Sequence, residues 1–145
     1  RAGLKKEAAV KYKNLKDIYP YYGYNSYLYA RELYYQGKLS ESLQAIKYSM
    51  RFYVDNMVYG LKANIEQELG RFTEAEKSYR RSVYMVPNRM AGRFNLMHFY
   101  IERSDTVNAI LWAKSILGMP VKVPSERTAL MLKQTRGVLD KLEHN

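Results

Sequence analysis

The residues able to do chemistry in this 145-residue sequence are few and scattered. Its two histidines, His98 and His144, lie far apart, cysteine is absent, and no HxxxH, HExxH or aspartate-rich loop gathers metal ligands on one helix face. No metal and no cofactor are therefore expected. Thiol nucleophiles and disulfides are excluded, although a chain without cysteine fits either redox compartment. Catalysis needs convergent groups, and the sequence offers no glycine-rich phosphate loop, no GxSxG elbow and no carboxylate pair with a defined neighbour. Glu66, Glu68, Glu74 and Glu76 are dense, but they straddle Gly70 and read as charges dressing two helix ends. His98 stands alone in an aromatic stretch, where packing or surface polarity is its simplest role. No catalytic residue is assigned.

Basic side chains are the second candidate chemistry. The formal net charge is +10, from 24 Lys and Arg against 14 Asp and Glu. Clustered cations release counterions from a phosphate backbone, so Lys5, Lys6, Lys11, Lys13 and Lys16, and further on Lys77, Arg80 and Arg81, are the residues that would bind an anion. A charge run is more often a solvated helix face, and that reading is preferred. A basic helical module binding nucleic acid or another polyanion is the alternative, although nucleic acid is not the expected partner, and an anionic membrane surface is another acceptor of such charge.

The elements that must carry these groups repeat. Gly70-Arg71-Phe72-Thr73-Glu74-Ala75 echoes the earlier Gly37-Lys38-Leu39-Ser40-Glu41-Ser42 at the interval of a helical hairpin. A small residue recurs at Ala8, Ser42, Ala75 and Ala109, with spacings of 34, 33 and 34. Pro20, Pro87 and Pro120 follow Ala8, Ala75 and Ala109 at nearly equal intervals, where a proline stops a helix; Val54 breaks the pattern. Four positions after each marker come Tyr12, Ile46, Tyr79 and Ala113, a spacing that builds one buried helical face.

These features resemble the tetratricopeptide repeat family, whose unit pairs a helix A with a helix B and puts small residues where they cross. The copy from Met57 to Asn88 is the fullest, with Tyr59, Ala63, Gly70, Phe72, Ala75, Tyr79 and Pro87 at family positions; Lys62 and Glu66 depart from it. The next copy keeps Leu96, Tyr100 and Ala109 but has Ser104-Asp105 at the inter-helix turn. The resemblance implies an all-α, right-handed α-solenoid of about three repeats. Its expected parts are residues 1–20 as helix B of a truncated upstream repeat, repeats over 21–55, 56–88 and 89–120, and 121–145 as linker and capping helix, all in one domain. Helices are expected near 4–19, 24–36, 40–53, 56–69, 73–86, 89–103, 106–118 and 125–143. Pro120 to Pro124 should be extended, Ser125 should cap the last helix, and Ala129, Leu132, Val138, Leu139 and Leu142 should cover the end of the stack.

In that family helix A lines a concave groove. The resemblance places Tyr24, Tyr27, Arg31, Tyr34 and Tyr35 there, then Met57, Asn64 and Gln67, then Ala91, Phe94, His98 and Ile101. A protein or peptide, extended or as an amphipathic helix, is the expected partner. Several of these tyrosines serve equally well as packing between helices. The carboxylate clamp of some members is disfavoured, because its positions hold Tyr27, Arg31, Leu61, Ala91 and Asn95. The segment from Ala113 to Ser125 resembles the tail after the repeats of O-antigen ligase-like membrane proteins of Bacteroidetes type. That resemblance implies a bacterial surface-polysaccharide assembly protein whose C-terminal appendage is this piece, tethered to the inner membrane on the cytoplasmic side. The initial Arg1 fits a piece of a longer polypeptide, no apolar run is long enough to span a bilayer, and exposed repeat ends are where a homodimer would form.

Overall fold

A computed structural model describes residues 2–144, without the side chains of Ala2 and Lys5. Eight helices and no strand occur among the described residues: α1 Ala2–Ile18, α2 Gly23–Tyr35, α3 Leu39–Ser49, α4 Asn56–Glu68, α5 Phe72–Met85, α6 Met90–Glu102, α7 Thr106–Leu117 and α8 Glu126–Glu143. The chain divides into two compact units, residues 1–82 and 83–145, and α5 runs from the first into the second.

The turns show why the helices stop where they do. At the ends of α2, α4 and α6 the residue after the C-cap is left-handed: Gly37 (φ 75°), Gly70 (φ 74°) and Ser104 (φ 55°). Each closes the same pair of bonds. Lys38 N donates to Leu33 O and Gly37 N to Tyr34 O; Arg71 N to Glu66 O and Gly70 N to Gln67 O; Asp105 N to Tyr100 O and Ser104 N to Ile101 O. The polar Ser104-Asp105 turn thus adopts the glycine geometry, with a serine where the backbone favours Gly. Asp105 compensates locally by accepting from Asn108 N at 3.0 Å and Asn108 Nδ2 at 2.7 Å, which caps α7.

In the first unit α2 packs between α1 and α3, and α4 packs on α3 and α2. The core joins Ala30, Leu33, Ile46, Val58, Leu61 and Ile65. Ile46 and Ile65 are fully buried, each worth about 1.5–3 kcal/mol relative to exposure. The small markers are where helices meet most closely: Ser42, Ala75 and Ala109 are completely buried. Ser42 Oγ also donates to Ala30 O at 2.7 Å. Close approach is sharpest at Gly23, where an added Cβ would lie 2.7 Å from Tyr53 Cβ and 2.8 Å from Ser49 O.

A second periodic device ties each helix B to its helix A. Ser49 Oγ donates to Gly23 O at 2.8 Å, and one period further on Ser82 Oγ makes the same bond to Asn56 O at 2.7 Å. The next serine in the series, Ser115, instead accepts from the Arg93 guanidinium.

In the second unit α7 packs on α6, and α8 packs on both. Pro120 to Pro124 is non-helical, and Ser125 Oγ accepts from Thr128 N at 3.1 Å to start α8. The face α8 buries differs from the expected one. Met131 and Thr135 are its buried residues, Ala129 is exposed, and Leu132, Val138, Leu139 and Leu142 are half-buried. The apolar pattern of α8 is ambiguous by about one position, and the threonine is acceptable inside because its hydroxyl donates to Met131 O at 2.7 Å.

Candidate partner-binding face

On α2 the half-exposed side chains Tyr24, Leu28 and Arg31 and the exposed Tyr35 are spaced by four, three and four positions, so they form one stripe beside the buried face. On α4 the equivalent positions hold Met57, which is 40% exposed, half-buried Asn64 and exposed Glu68. The two stripes are linked, because the Tyr34 hydroxyl donates to the Glu68 carboxylate. Burial and that carboxylate together push the Tyr34 hydroxyl well above the usual tyrosine range.

The tyrosines divide between surface and core. Tyr27 is 7% exposed and belongs to the core; burial raises its pKa. It stacks on Tyr24 at 5.8 Å, while Tyr24 meets Tyr53 edge-on at 5.3 Å, so Tyr24 presents a fixed ring at the surface. Tyr53 in turn donates to Asp55 Oδ2 at 2.5 Å, and that bond, with a smaller contribution from burial, pushes its pKa up to about 12. Asp55 uses its other oxygen to accept from Val58 N at 2.8 Å and cap α4. Arg31 reaches its neighbour Glu32 at 3.2 Å and stays half-exposed. Asn64 is held from behind: the Tyr79 hydroxyl lies 2.6 Å from Asn64 Oδ1 and 2.7 Å from Gln67 Oε1. In the second unit Phe94 and His98 are half-buried on α6 with ring centroids 4.5 Å apart.

The two departures at Lys62 and Glu66 form a partnership. Glu66 is 3% exposed, and the Lys62 ammonium donates to it. Ser78 of α5 accepts from Lys62 Nζ at 3.0 Å and donates to Glu66 Oε2 at 2.7 Å. Glu66 is therefore not a charge dressing a helix end. Glu68 accepts from Tyr34, Glu76 accepts from Arg80 Nε at 2.9 Å, and Glu74 opens α5. The candidate anion-binding residues separate accordingly: Arg80 is paired with Glu76, whereas Lys77 and Arg81 stand with Lys62, Tyr59 and Glu74 around a cavity of ≈ 300 Å³. On α1, Lys6, Lys11 and Lys13 are exposed, Lys16 lies 4.9 Å over the Tyr48 ring, and the Lys5 side chain is outside the described residues. Among the described residues no cluster of three metal-ligating side chains occurs, and no helix is long and apolar enough to cross a membrane.

Helical hairpins of this period, closed by repeated turns and presenting a stripe on each first helix, define a tetratricopeptide-like helical solenoid protein. Solved structures share that fold. PcrH of Pseudomonas aeruginosa, in complex with the chaperone-binding region of PopD, superposes with a TM-score of 0.70 at 16% identity, covering 82% of this chain and 89% of that one. The Yersinia enterocolitica type III secretion chaperone SycD, in complex with a peptide of the translocator YopD, gives 0.71 at 13%, covering 81% and 89%. YrrB, a TPR protein with an unusual peptide-binding site, gives 0.69 at 11%, covering 96% and 80%. At these identities the likeness is one of fold. No protein-family model and no curated protein matches the sequence.

Proposed function

We propose that this chain is a protein-interaction domain that holds a peptide or a partner helix against the stripes of α2 and α4. The observation that carries the reading is the row Tyr24, Arg31, Tyr35, Met57 and Asn64: an aromatic ring fixed by two others, a cation, a flexible thioether and an amide on adjacent first helices. Tyr and Arg anchors contribute most of the energy at such faces, and Met adapts to the partner's shape. PcrH and SycD, of the same fold, each carry a segment of a partner protein. Phe94 and His98 on α6 are the contacts we assign within the second unit, and the domain performs recognition without chemistry.

The expected repeats at 21–55, 56–88 and 89–120, with 121–145 as the cap, are the units we assign to this task. The resemblance of residues 113–125 supports placing the domain as the soluble tail of an O-antigen ligase-like bacterial membrane protein. Apolar spans of about 20 residues upstream of Arg1 test that placement. For the binding function, peptides selected from a phage-displayed library on the intact chain should lose at least about tenfold in affinity on Tyr24→Ala and on Arg31→Glu, since such anchors are worth more than about 1.4 kcal/mol. Peptides that bind both variants as tightly as the parent would remove the stripe from consideration. Polyanion binding by Lys77 and Arg81 is the second reading, favoured by the cavity they line; a steep loss of affinity with salt would identify it.

A further inference from the structure

The second unit holds a cavity of ≈ 350 Å³ whose lining includes Ala91 of α6, one turn before Phe94, but neither Phe94 nor His98. Four segments border this open cavity: the loop before α6, the first turn of α6, the proline-bounded linker after α7, and the first turns of α8. Met90, Met119 and Met131 are its apolar lining, together with Val121 and Ala91. Arg89, Lys122 and Arg127 stand around it, all exposed, and no carboxylate lines it. None of these three cations has an ion-pair partner among the described residues.

We propose that this cavity binds a small amphiphile with one anionic head and an unbranched apolar tail, of the fatty-acid type. Charge selects the head. Arg89, Lys122 and Arg127 line the cavity and no acid does, so the net field at its rim favours an anion although Glu126, outside the lining, opens the same turn of α8. The lining selects the tail. Thioethers are flexible and polarisable, so three of them conform to a chain that has no fixed shape. Asn88 and Thr128 are the neutral polar side chains of the lining, too few to satisfy the amides of a peptide backbone, and each amide left without a hydrogen bond loses affinity; an alkyl tail brings none. The size falls within the range of about 300–1,000 Å³ usual for small-molecule sites. Rigidity comes from Pro120 and Pro124 on one wall and, on the other, from Arg93 Nη2, which donates to Pro87 O at 3.1 Å and fixes the loop before α6.

Calorimetric titration of the intact chain with octanoate, 1-octanol and acetate tests this at physiological salt. Octanoate should bind saturably at one site per chain, and acetate and 1-octanol each more weakly by about tenfold or more, since each lacks one half of the recognition. Lys122→Gln and Arg127→Gln alter exposed side chains outside the core and should each weaken octanoate by about two- to tenfold while leaving the unfolding midpoint in place. Ala91→Trp, which fills the cavity, should abolish binding, and Tyr24→Ala on the first unit should not change it. Octanoate that fails to saturate, or that binds both charge variants as the parent does, overturns the proposal. Tighter binding of a free-carboxylate leucine tripeptide than of octanoate would overturn the acyl-chain assignment and make the cavity a peptide-terminus site.

Discussion

The buried triad of Lys62, Glu66 and Ser78 gives the sharpest test of how the α4–α5 hairpin is held. Its three members are unequal. The Glu66 side chain is 4% exposed and the Lys62 side chain 18%, so removing the lysine strands a carboxylate with one hydroxyl for company, while removing the carboxylate leaves an ammonium that can still turn to water. Lys62→Met should therefore destabilise by about 3 kcal/mol, the lower end of the cost of breaking a buried pair, because this pair is not wholly dry. Glu66→Gln keeps an acceptor for Ser78 and should cost about 1–2 kcal/mol. The first hairpin supplies the replacement: one period earlier in the chain the same three positions hold Tyr29, Leu33 and Ala45. The triple change Lys62→Tyr, Glu66→Leu, Ser78→Ala should fold with stability equal to the parent or up to about 4 kcal/mol higher, since a packed apolar set commonly replaces a buried ion pair without loss. Urea unfolding followed by far-UV circular dichroism reads all three. A loss below about 1 kcal/mol for Lys62→Met would mean that the pair behaves as a surface pair, and a triple variant as weak as that single one would mean that the site does not tolerate apolar packing.

Other consequences are simpler to read. Ser104→Gly should stabilise by about 0.5–1 kcal/mol, raising the thermal midpoint, because the left-handed strain at φ 55° disappears at a smaller cost in chain entropy; an unchanged or lower midpoint would refute the strain. Gly23→Ala should destabilise by about 1–3 kcal/mol in the same assay, since its Cβ would meet backbone at 2.8 Å, and a neutral result would show that α2 and α3 separate easily. Tyr53, with its pKa raised to about 12, favours the folded state fully below the unfolded value of about 10, and that contribution is lost as pH rises through 12. Stability measured from pH 9 upward should fall less steeply in Tyr53→Phe than in the parent.

What was legible in the sequence was the repeat and its punctuation. The marker residues Ser42, Ala75 and Ala109 are buried because helix crossings leave no room for larger side chains, and that constraint is visible as a spacing. The eight expected helices occur within a few residues of their places, since caps and proline or glycine stops are local signals. The serines at 49, 82 and 115 carried the same period and could have been found by scanning polar as well as small residues. Lys62 and Glu66 showed only as departures from a pattern, because their meaning depends on Ser78 across the hairpin. Nor does the sequence separate Tyr24 from Tyr27: both suit a core and a surface, and only the rotation of α2 against its neighbours decides that Tyr27 enters the core while Tyr24 packs at its edge. The cavity of the second unit was out of reach for a similar reason, as half of its wall is irregular linker.

The charged triad also bears on how the chain finds its partners while folding. Hairpins of one period share their backbone plan and marker residues, so α5 has in α2 a competing place to settle in a partly folded chain. Such a mispairing would set Ser78 against Tyr29 and Leu33 and would leave Glu66 and Lys62 without their hydroxyl. The correct neighbour is marked by a polar contact that the first hairpin cannot imitate. Its contribution would then be read in the yield of correctly threaded chains on refolding as much as in the stability of the finished protein.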